Sequence, residues 1–173
     1  RQTPKYLTQQ YFRHGDKAVC DIIQSDQGYR TCYYRTFNSG MSTPSQRDAY
    51  EKARAWLDAS IAMIKPGVTT DKVAAVWPTA QSLGFPDELS AFGLQFGHGL
   101  GLALHERPII SRAVSFENPM EIKTGMVFAL ETYCPASDVY SAARIEEEVV
   151  VTDTGCEVIS LFPAAELPIA NRY

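Results

Sequence analysis

Two stretches in the second half of the chain decide the fold. They are residues 126–133, Met-Val-Phe-Ala-Leu-Glu-Thr-Tyr, and residues 143–152, Ala-Arg-Ile-Glu-Glu-Glu-Val-Val-Val-Thr. Both are rich in β-branched and aromatic residues, and the turn-forming residues 135–140 lie between them. This pattern predicts a β-hairpin.

The position of the turn determines which side chains of this hairpin face each other. A turn centred between Asp138 and Val139 places Glu131 directly opposite Glu146, with Cβ atoms roughly 5 Å apart. Two carboxylates at that distance repel each other unless a proton or a cation lies between them. The apolar run before Glu131 indicates burial, and two buried, unpaired carboxylates cost several kcal/mol. A bound metal ion is the simplest compensation.

The three consecutive glutamates of the second strand do not form one solvated edge. On a strand, Glu146 and Glu148 share a face and Glu147 points to the other. The two faces of this strand therefore have different polar environments.

The rest of the chain predicts another hairpin, two helices and a short strand. The hairpin joins strands 17–23 and 29–37 through the turn 25–28, and the last strand covers 156–159. The first helix starts at Ser42-Thr43-Pro44 and ends at Lys65-Pro66-Gly67, and the second runs from Thr69 towards Gly84 with a bend at Pro78. A hairpin, two helices and a meander indicate an α+β domain.

The first hairpin also brings two ligand-type side chains together. A turn centred between Asp26 and Gln27 places Asp21 opposite Cys32. A slip of the register by one residue would point these side chains elsewhere. The two hairpins thus present two pairs of metal-ligating groups.

A glycine-rich segment, Gly97-His-Gly-Leu-Gly-Leu-Ala-Leu-His-Glu106, supplies a third element. Glycines on both sides of His98 allow close backbone approach, which can direct an imidazole into a tight site. The segment does not match GxGxxG, and His105-Glu106 lacks the second histidine of HExxH.

Composition narrows the class of protein. The 173 residues are 45% hydrophobic, enough for one domain with a core, and 16 basic against 20 acidic residues give a net charge of −4. This charge argues against a nucleic-acid binder, and no apolar run approaches the roughly 18 residues that cross a membrane. No signal peptide is visible, and four cysteines without a CxxC pair predict reduced thiols and a cytoplasmic location.

Three motifs in order carry a resemblance to a known family. They are Gly97-His-Gly-Leu-Gly ending in His105-Glu106, then Gly125-Met-Val-Phe-Ala-Leu-Glu-Thr, then Arg144-Ile-Glu-Glu-Glu-Val-Val-Val-Thr-Asp-Thr-Gly. The chain resembles the pita-bread metallopeptidases, which include methionine aminopeptidase, aminopeptidase P, Xaa-Pro dipeptidase and the non-peptidase creatinase. The resemblance implies an incomplete pita-bread fold, with residues 1–173 forming one partial catalytic domain that lacks the family's N-terminal half. It also implies a homodimer.

The resemblance further implies a metal site. Family members hold a pair of divalent ions with two Asp, one His and two Glu, and the matching positions are Asp21, Cys32, His98, Glu131 and Glu146. A cysteine therefore stands where the family has its second Asp. A thiolate suits zinc or iron but does not reproduce a carboxylate-bridged manganese or cobalt pair. The expected cofactor is one or two divalent ions (Mn, Co, Zn or Fe), or none.

The first functional hypothesis is a metal-dependent hydrolase that cleaves a C–N bond in a small peptide, most like an Xaa-Pro dipeptidase. The expected catalytic residues are His98, His105, Glu131 and Glu146. Glu131 or Glu146 would move the proton of a water molecule, and His105 and Arg144 would bind the substrate.

Two other hypotheses stay open at this point. One is a metal-free or altered-metal creatinase-like hydrolase, or a lyase, acting on a small nitrogenous metabolite. There His98 would be the general base, and Glu131 and Glu146 would bind a cationic group. The other is an inactive binding module, which should tolerate Glu146→Gln.

Overall fold

The computed structural model describes residues 11–92 and 95–171, which form an α+β arrangement of two sheets and a two-stranded ribbon. The strands are β1 (Lys17–Ile22), β2 (Ser25–Asp26), β3 (Tyr29–Arg30), β4 (Tyr33–Ser39), β5 (Gly97–Gly99), β6 (Glu106–Ile110), β7 (Val127–Pro135), β8 (Ala142–Val151), β9 (Cys156–Val158) and β10 (Ile169–Ala170). The helices are α1 (Pro44–Met63), α2 (Thr70–Ala74), α3 (Glu88–Phe92) and α4 (Arg112–Ser115), with a 3₁₀ turn at Gln81–Leu83.

The larger sheet is antiparallel throughout, with the strand order β6-β5-β7-β8-β9. The smaller sheet has the order β1-β4-β10, and β10 runs parallel to β4. Strands β2 and β3 form the separate ribbon. No helix within these described ranges is long and apolar enough to cross a membrane.

Helix α1 covers the larger sheet and begins where the sequence predicts. The Thr43 side chain accepts the backbone N–H of Gln46, and the Gln46 side chain accepts the N–H of Thr43. Such a cap contributes about 1 kcal/mol. The buried face of α1, which includes Ala53 and Leu57, packs against β7 and β8 around Phe128. The helix therefore supports the two strands that carry the paired glutamates.

The predicted second helix is shorter than expected. Regular helix ends at Ala74, and the predicted bend at Pro78 is a termination instead. Proline has no N–H to donate, and its ring conflicts with the carbonyl four residues earlier, which is that of Ala74. Trp77 instead stacks on Phe96 at 4.8 Å between ring centroids. The helix does not continue through this region, and Trp77 packs in the core instead.

The register predicted for the first hairpin is wrong by two residues. Asp21 pairs with Tyr34 and not with Cys32. The cause is the turn, whose two central residues are Gln27 (φ 49°) and Gly28 (φ 93°). Positive φ at both central positions is typical of a two-residue hairpin loop, and it moves the centre of the turn by one residue. Because the shift is even, Asp21 and Cys32 still lie on the same face.

Candidate active site

Strands β7 and β8 bring two glutamates face to face. Glu131 pairs directly with Glu146, so the predicted register of the second hairpin is confirmed. Both side chains are buried, with 6% of Glu131 and none of Glu146 exposed. Two like charges therefore lie together in the interior, and each requires compensation.

Glu131 has its compensation within the protein. A guanidinium N–H of Arg144 donates to Glu131 Oε2, and Gln95 Nε2 donates to Oε1 at 3.2 Å. The Arg144 guanidinium also lies over the Tyr34 ring, 3.9 Å from its centroid. Arg144, which the sequence predicts to bind substrate, is thus paired with Glu131. Gln95 was not among the predicted site residues, and the one sign of it in the sequence is an amide side chain shortly before the Gly97 segment.

Glu146 has no such partner. Its Oε1 atom is buried and accepts no hydrogen bond from the described part of the chain. Burial, together with the Glu131 carboxylate opposite, raises the pKa of Glu146 well above its ordinary value. The site therefore favours a proton or a cation at this carboxylate.

His98 faces Glu146 from β5, a central strand of the sheet. Its Nδ1 atom lies 2.9 Å from the carbonyl oxygen of Gly99, which can only accept, so the ring proton is on Nδ1. Burial lowers the pKa of His98, which favours the neutral ring. Nε2 is buried, has no hydrogen-bond partner among residues 11–92 and 95–171, and lies 3.7 Å from Glu146 Oε1.

The glycines beside His98 are required by packing. A Cβ atom on Gly99 would lie 2.6 Å from the carbonyl oxygen of Arg107, and one on Gly97 would lie 2.8 Å from that of Ala129. Both obstacles are backbone atoms of neighbouring strands and cannot move aside locally. The glycines therefore let three strands approach closely around the imidazole.

We expect Gly99→Ala to lower the free energy of unfolding by about 2 kcal/mol, the usual cost of overpacking a close-packed interior. Urea unfolding of the purified protein measures the change. Gly155→Ala is the matched control, because a Cβ atom there meets nothing within 4 Å. Equal effects of the two substitutions would contradict this account of the close approach.

Cys32 lies beside the same pair of groups. Its side chain is buried, and Sγ is 3.7 Å from Glu146 Oε2 and 4.0 Å from Asp21 Oδ1. Its backbone N–H donates to Glu148 Oε1 at 2.5 Å. Burial and the surrounding carboxylates raise the pKa of the thiol. Sequence reasoning assigned no role to Glu148, although the alternation of β8 placed it on the same face as Glu146.

Asp21 and His105 lie at the solvent side of these groups. Both residues are exposed, and the His105 ring is 4.2 Å from the His98 ring, measured between centroids. An exposed imidazole next to a buried one can contact a molecule that enters from solvent. All seven predicted site residues thus fall in one region, with Arg144 held against Glu131.

The chemistry of these donors fits a divalent ion. Ligand atoms of Cys32, His98 and Glu146 all lie within 4.8 Å of one another, and all three residues are buried. Two of the atoms, His98 Nε2 and Glu146 Oε1, lack hydrogen-bond partners within the ranges the structure describes. Such atoms are costly to bury unless they bind a proton or a metal. The residues present therefore fit a metal ion.

Comparisons with known proteins agree with this geometry. Residues 2–153 match the model of a protein family described as Metallopeptidase family M24. The methionine aminopeptidase of Escherichia coli strain K12 is 26% identical over 166 residues, which cover 86% of this chain and 61% of that protein.

Solved structures with similar folds include dipeptidases. Dipeptidase PepE from Mycobacterium ulcerans aligns with a TM-score of 0.76 at 29% identity, over 92% of this chain and 41% of that chain. Xaa-Pro dipeptidase from Bacillus anthracis aligns with a TM-score of 0.77 at 26% identity, over 94% and 43%. The chain thus spans about two fifths of the length of each. The predicted pita-bread fold is confirmed for the part that the chain covers.

Proposed function

Because the chain belongs to metallopeptidase family M24, we propose that the protein is a metal-dependent hydrolase of small peptides, most like an Xaa-Pro dipeptidase. The observation that carries this proposal is a pair of buried atoms beside the Cys32 thiol, His98 Nε2 and Glu146 Oε1, for which the described residues provide no hydrogen-bond partner. The similar proteins described above are peptidases, which favours peptide hydrolysis over a creatinase-like reaction or a binding module.

We assign the metal-holding role to Cys32, His98 and Glu146, with Asp21 at the rim. A divalent ion held there would polarise the scissile carbonyl and lower the pKa of a water molecule. His98 is suited to this role because its Nδ1 proton is fixed on Gly99 and its Nε2 lone pair is free. Glu146 supplies the negative charge.

The other groups would handle the proton and the substrate. Glu131 Oε1, which accepts from the neutral amide of Gln95, is the better proton acceptor because Oε2 is engaged by the charged Arg144. His105, exposed beside His98, would hydrogen-bond the substrate carbonyl. Arg144 lines a small cleft with Phe92 and Tyr133, so a substrate group in that cleft would contact its guanidinium.

Two further assignments belong to the same proposal. The four cysteines are free thiols, which supports a reducing, cytoplasmic setting. A homodimer is proposed on the family resemblance alone.

The proposal is tested by metal removal. Purified protein is treated with a chelator, dialysed, and assayed with an Xaa-Pro dipeptide before and after addition of zinc, iron, manganese or cobalt. We expect hydrolysis to disappear with the chelator and to return with at least one of these ions. Turnover that survives exhaustive chelation, or no hydrolysis with any ion, would refute the proposed function.

A further inference from the structure

The charges around the glutamate pair divide into two groups. Arg144 neutralises Glu131, and this ion pair is complete without any added ion. Glu146 and the Cys32 thiol remain beside His98, and one ligand atom of each of these three buried residues lies within 4.8 Å of the others. Unlike the first group, this second group includes atoms without a hydrogen-bond partner in the described part of the chain.

We infer that Cys32 is a metal ligand and that the site holds one sulfur-binding divalent ion, with zinc as the best fit. The inference extends the metal-dependent function proposed above and rests on it. It concerns the number and type of ions, which can be measured without an activity assay.

The separations of the donor atoms support a single ion. Zinc bonds of about 2.3 Å to sulfur and 2.0–2.2 Å to nitrogen and oxygen place the ligand atoms of one tetrahedral ion about 3.3–3.6 Å apart. Cys32 Sγ is 3.7 Å from Glu146 Oε2, and His98 Nε2 is 3.7 Å from the other oxygen, Oε1. One ligand atom from each of the three residues lies within 4.8 Å of the others, so an ion that contacts the carboxylate between Cys32 and His98 would need only side-chain adjustments to bind all three residues.

The donor types select the metal. A thiolate is a soft ligand, and the combination of sulfur, imidazole and carboxylate suits zinc better than manganese or magnesium. The sulfur is a single donor atom, whereas a bridging carboxylate would have offered two oxygens. Two carboxylate-bridged hard ions are therefore disfavoured at Cys32.

The protein also positions the thiol. Glu148 Oε1 accepts the backbone N–H of Cys32 across 116 positions of sequence. This bond joins the end of the first hairpin to β8, the strand that carries Glu146. Glu148 thus acts through Cys32 as a positioning residue and does not itself supply a ligand atom.

The experiment measures metal binding to chelator-treated protein under anaerobic, reducing conditions. Zinc titration by calorimetry should give one ion per chain. Cobalt titration should give a sulfur-to-cobalt charge-transfer band in the near ultraviolet that saturates at the same ratio. Cys32→Ser should abolish the band and weaken zinc binding by more than about 100-fold, beyond the loss usual for an outer-shell partner.

Cys20→Ser is the matched control, because Cys20 lies in the same hairpin but is exposed. It should leave the stoichiometry, the zinc affinity and the cobalt band unchanged. Wild-type cobalt spectra need no variant, so the inference can be tested even if Cys32→Ser fails to fold. Two zinc ions per chain, or a cobalt spectrum without sulfur charge transfer, would overturn it.

The inference and the proposed function can fail separately. A protein that binds one zinc ion through Cys32 but hydrolyses no dipeptide supports the inference and refutes the function. A protein that hydrolyses dipeptides with two bound ions and no sulfur ligation supports the function and refutes the inference. Cys32→Asp gives a third test. A carboxylate at this position should raise the number of metal ions bound per chain and favour manganese over zinc.

Discussion

Glu146→Gln is expected to lower kcat/KM for dipeptide hydrolysis by roughly 10³-fold, or about 4 kcal/mol, which is within the several kcal/mol that a bound metal ion contributes to the transition state. Glu146 is fully buried, and it is the one carboxylate of the facing pair that Arg144 does not neutralise. An amide in its place keeps the shape of the side chain but removes the negative charge that attracts a cation. Steady-state kinetics on metal-loaded protein measure the loss.

The same substitution should leave the fold intact. Within the described residues, Glu146 Oε1 has no hydrogen-bond partner and Oε2 contacts only the Cys32 thiol at 3.7 Å, so little native bonding is lost and we expect the free energy of unfolding of the metal-free protein to change by less than about 1 kcal/mol. Glu157→Gln, on an exposed part of β9, is the matched control for activity. An inactive binding module would lose nothing with either variant, and equal kinetics for both would contradict the assignment of Glu146.

Glu147→Gln is expected to lower the free energy of unfolding by about 3 kcal/mol, as is typical when one partner of a buried ion pair is removed. Glu147 accepts from Arg35 Nη2 at 2.8 Å and from Arg54 Nη1 at 3.0 Å. Only 2% of the Arg35 side chain is exposed, so its guanidinium cannot recover hydration when the carboxylate is lost. Urea unfolding in the presence of a chelator measures the change without a contribution from bound metal.

A control variant and a measurement of metal binding complete this test. Glu157→Gln, which is exposed, should stay within about 0.5 kcal/mol of the wild type. Glu147 points away from Glu146 and Cys32, so Glu147→Gln should keep the zinc stoichiometry of the parent protein. A loss of metal binding without a loss of stability would show that the two faces of β8 had been assigned the wrong way round.

Neighbouring glutamates thus have separate consequences for the protein. Glu146 is predicted to control activity with little effect on folding, and Glu147 to control folding with little effect on metal binding. The separation follows from the alternation of side chains on β8, which places one carboxylate beside Cys32 and His98 and the next beside Arg35 and Arg54. Measuring both variants by both methods tests the alternation directly.

Local rules were sufficient for much of the fold. The Thr43-Pro44 start of α1, the second hairpin and its register, and the opposite orientation of Glu146 and Glu147 all follow from short-range patterns. The same rules were not sufficient for the second helix, which ends at Ala74 before Pro78, or for the first hairpin, where the left-handed Gln27-Gly28 turn moved the register by two. Both outcomes depend on packing or on turn geometry, which the short-range pattern did not specify.

The sequence by itself determined that Glu131 faces Glu146 and that Glu147 points to the other side, because a strand period of two and a short turn fix which side chains of one hairpin face each other. Only the tertiary structure decided which of the facing glutamates is neutralised. Arg144 has a long, flexible side chain that could reach several acidic groups, and its stacking on Tyr34 directs it to Glu131. Contacts between distant segments, such as Glu148 with Cys32, likewise depend on how the two hairpins pack, and local sequence carries no record of that packing.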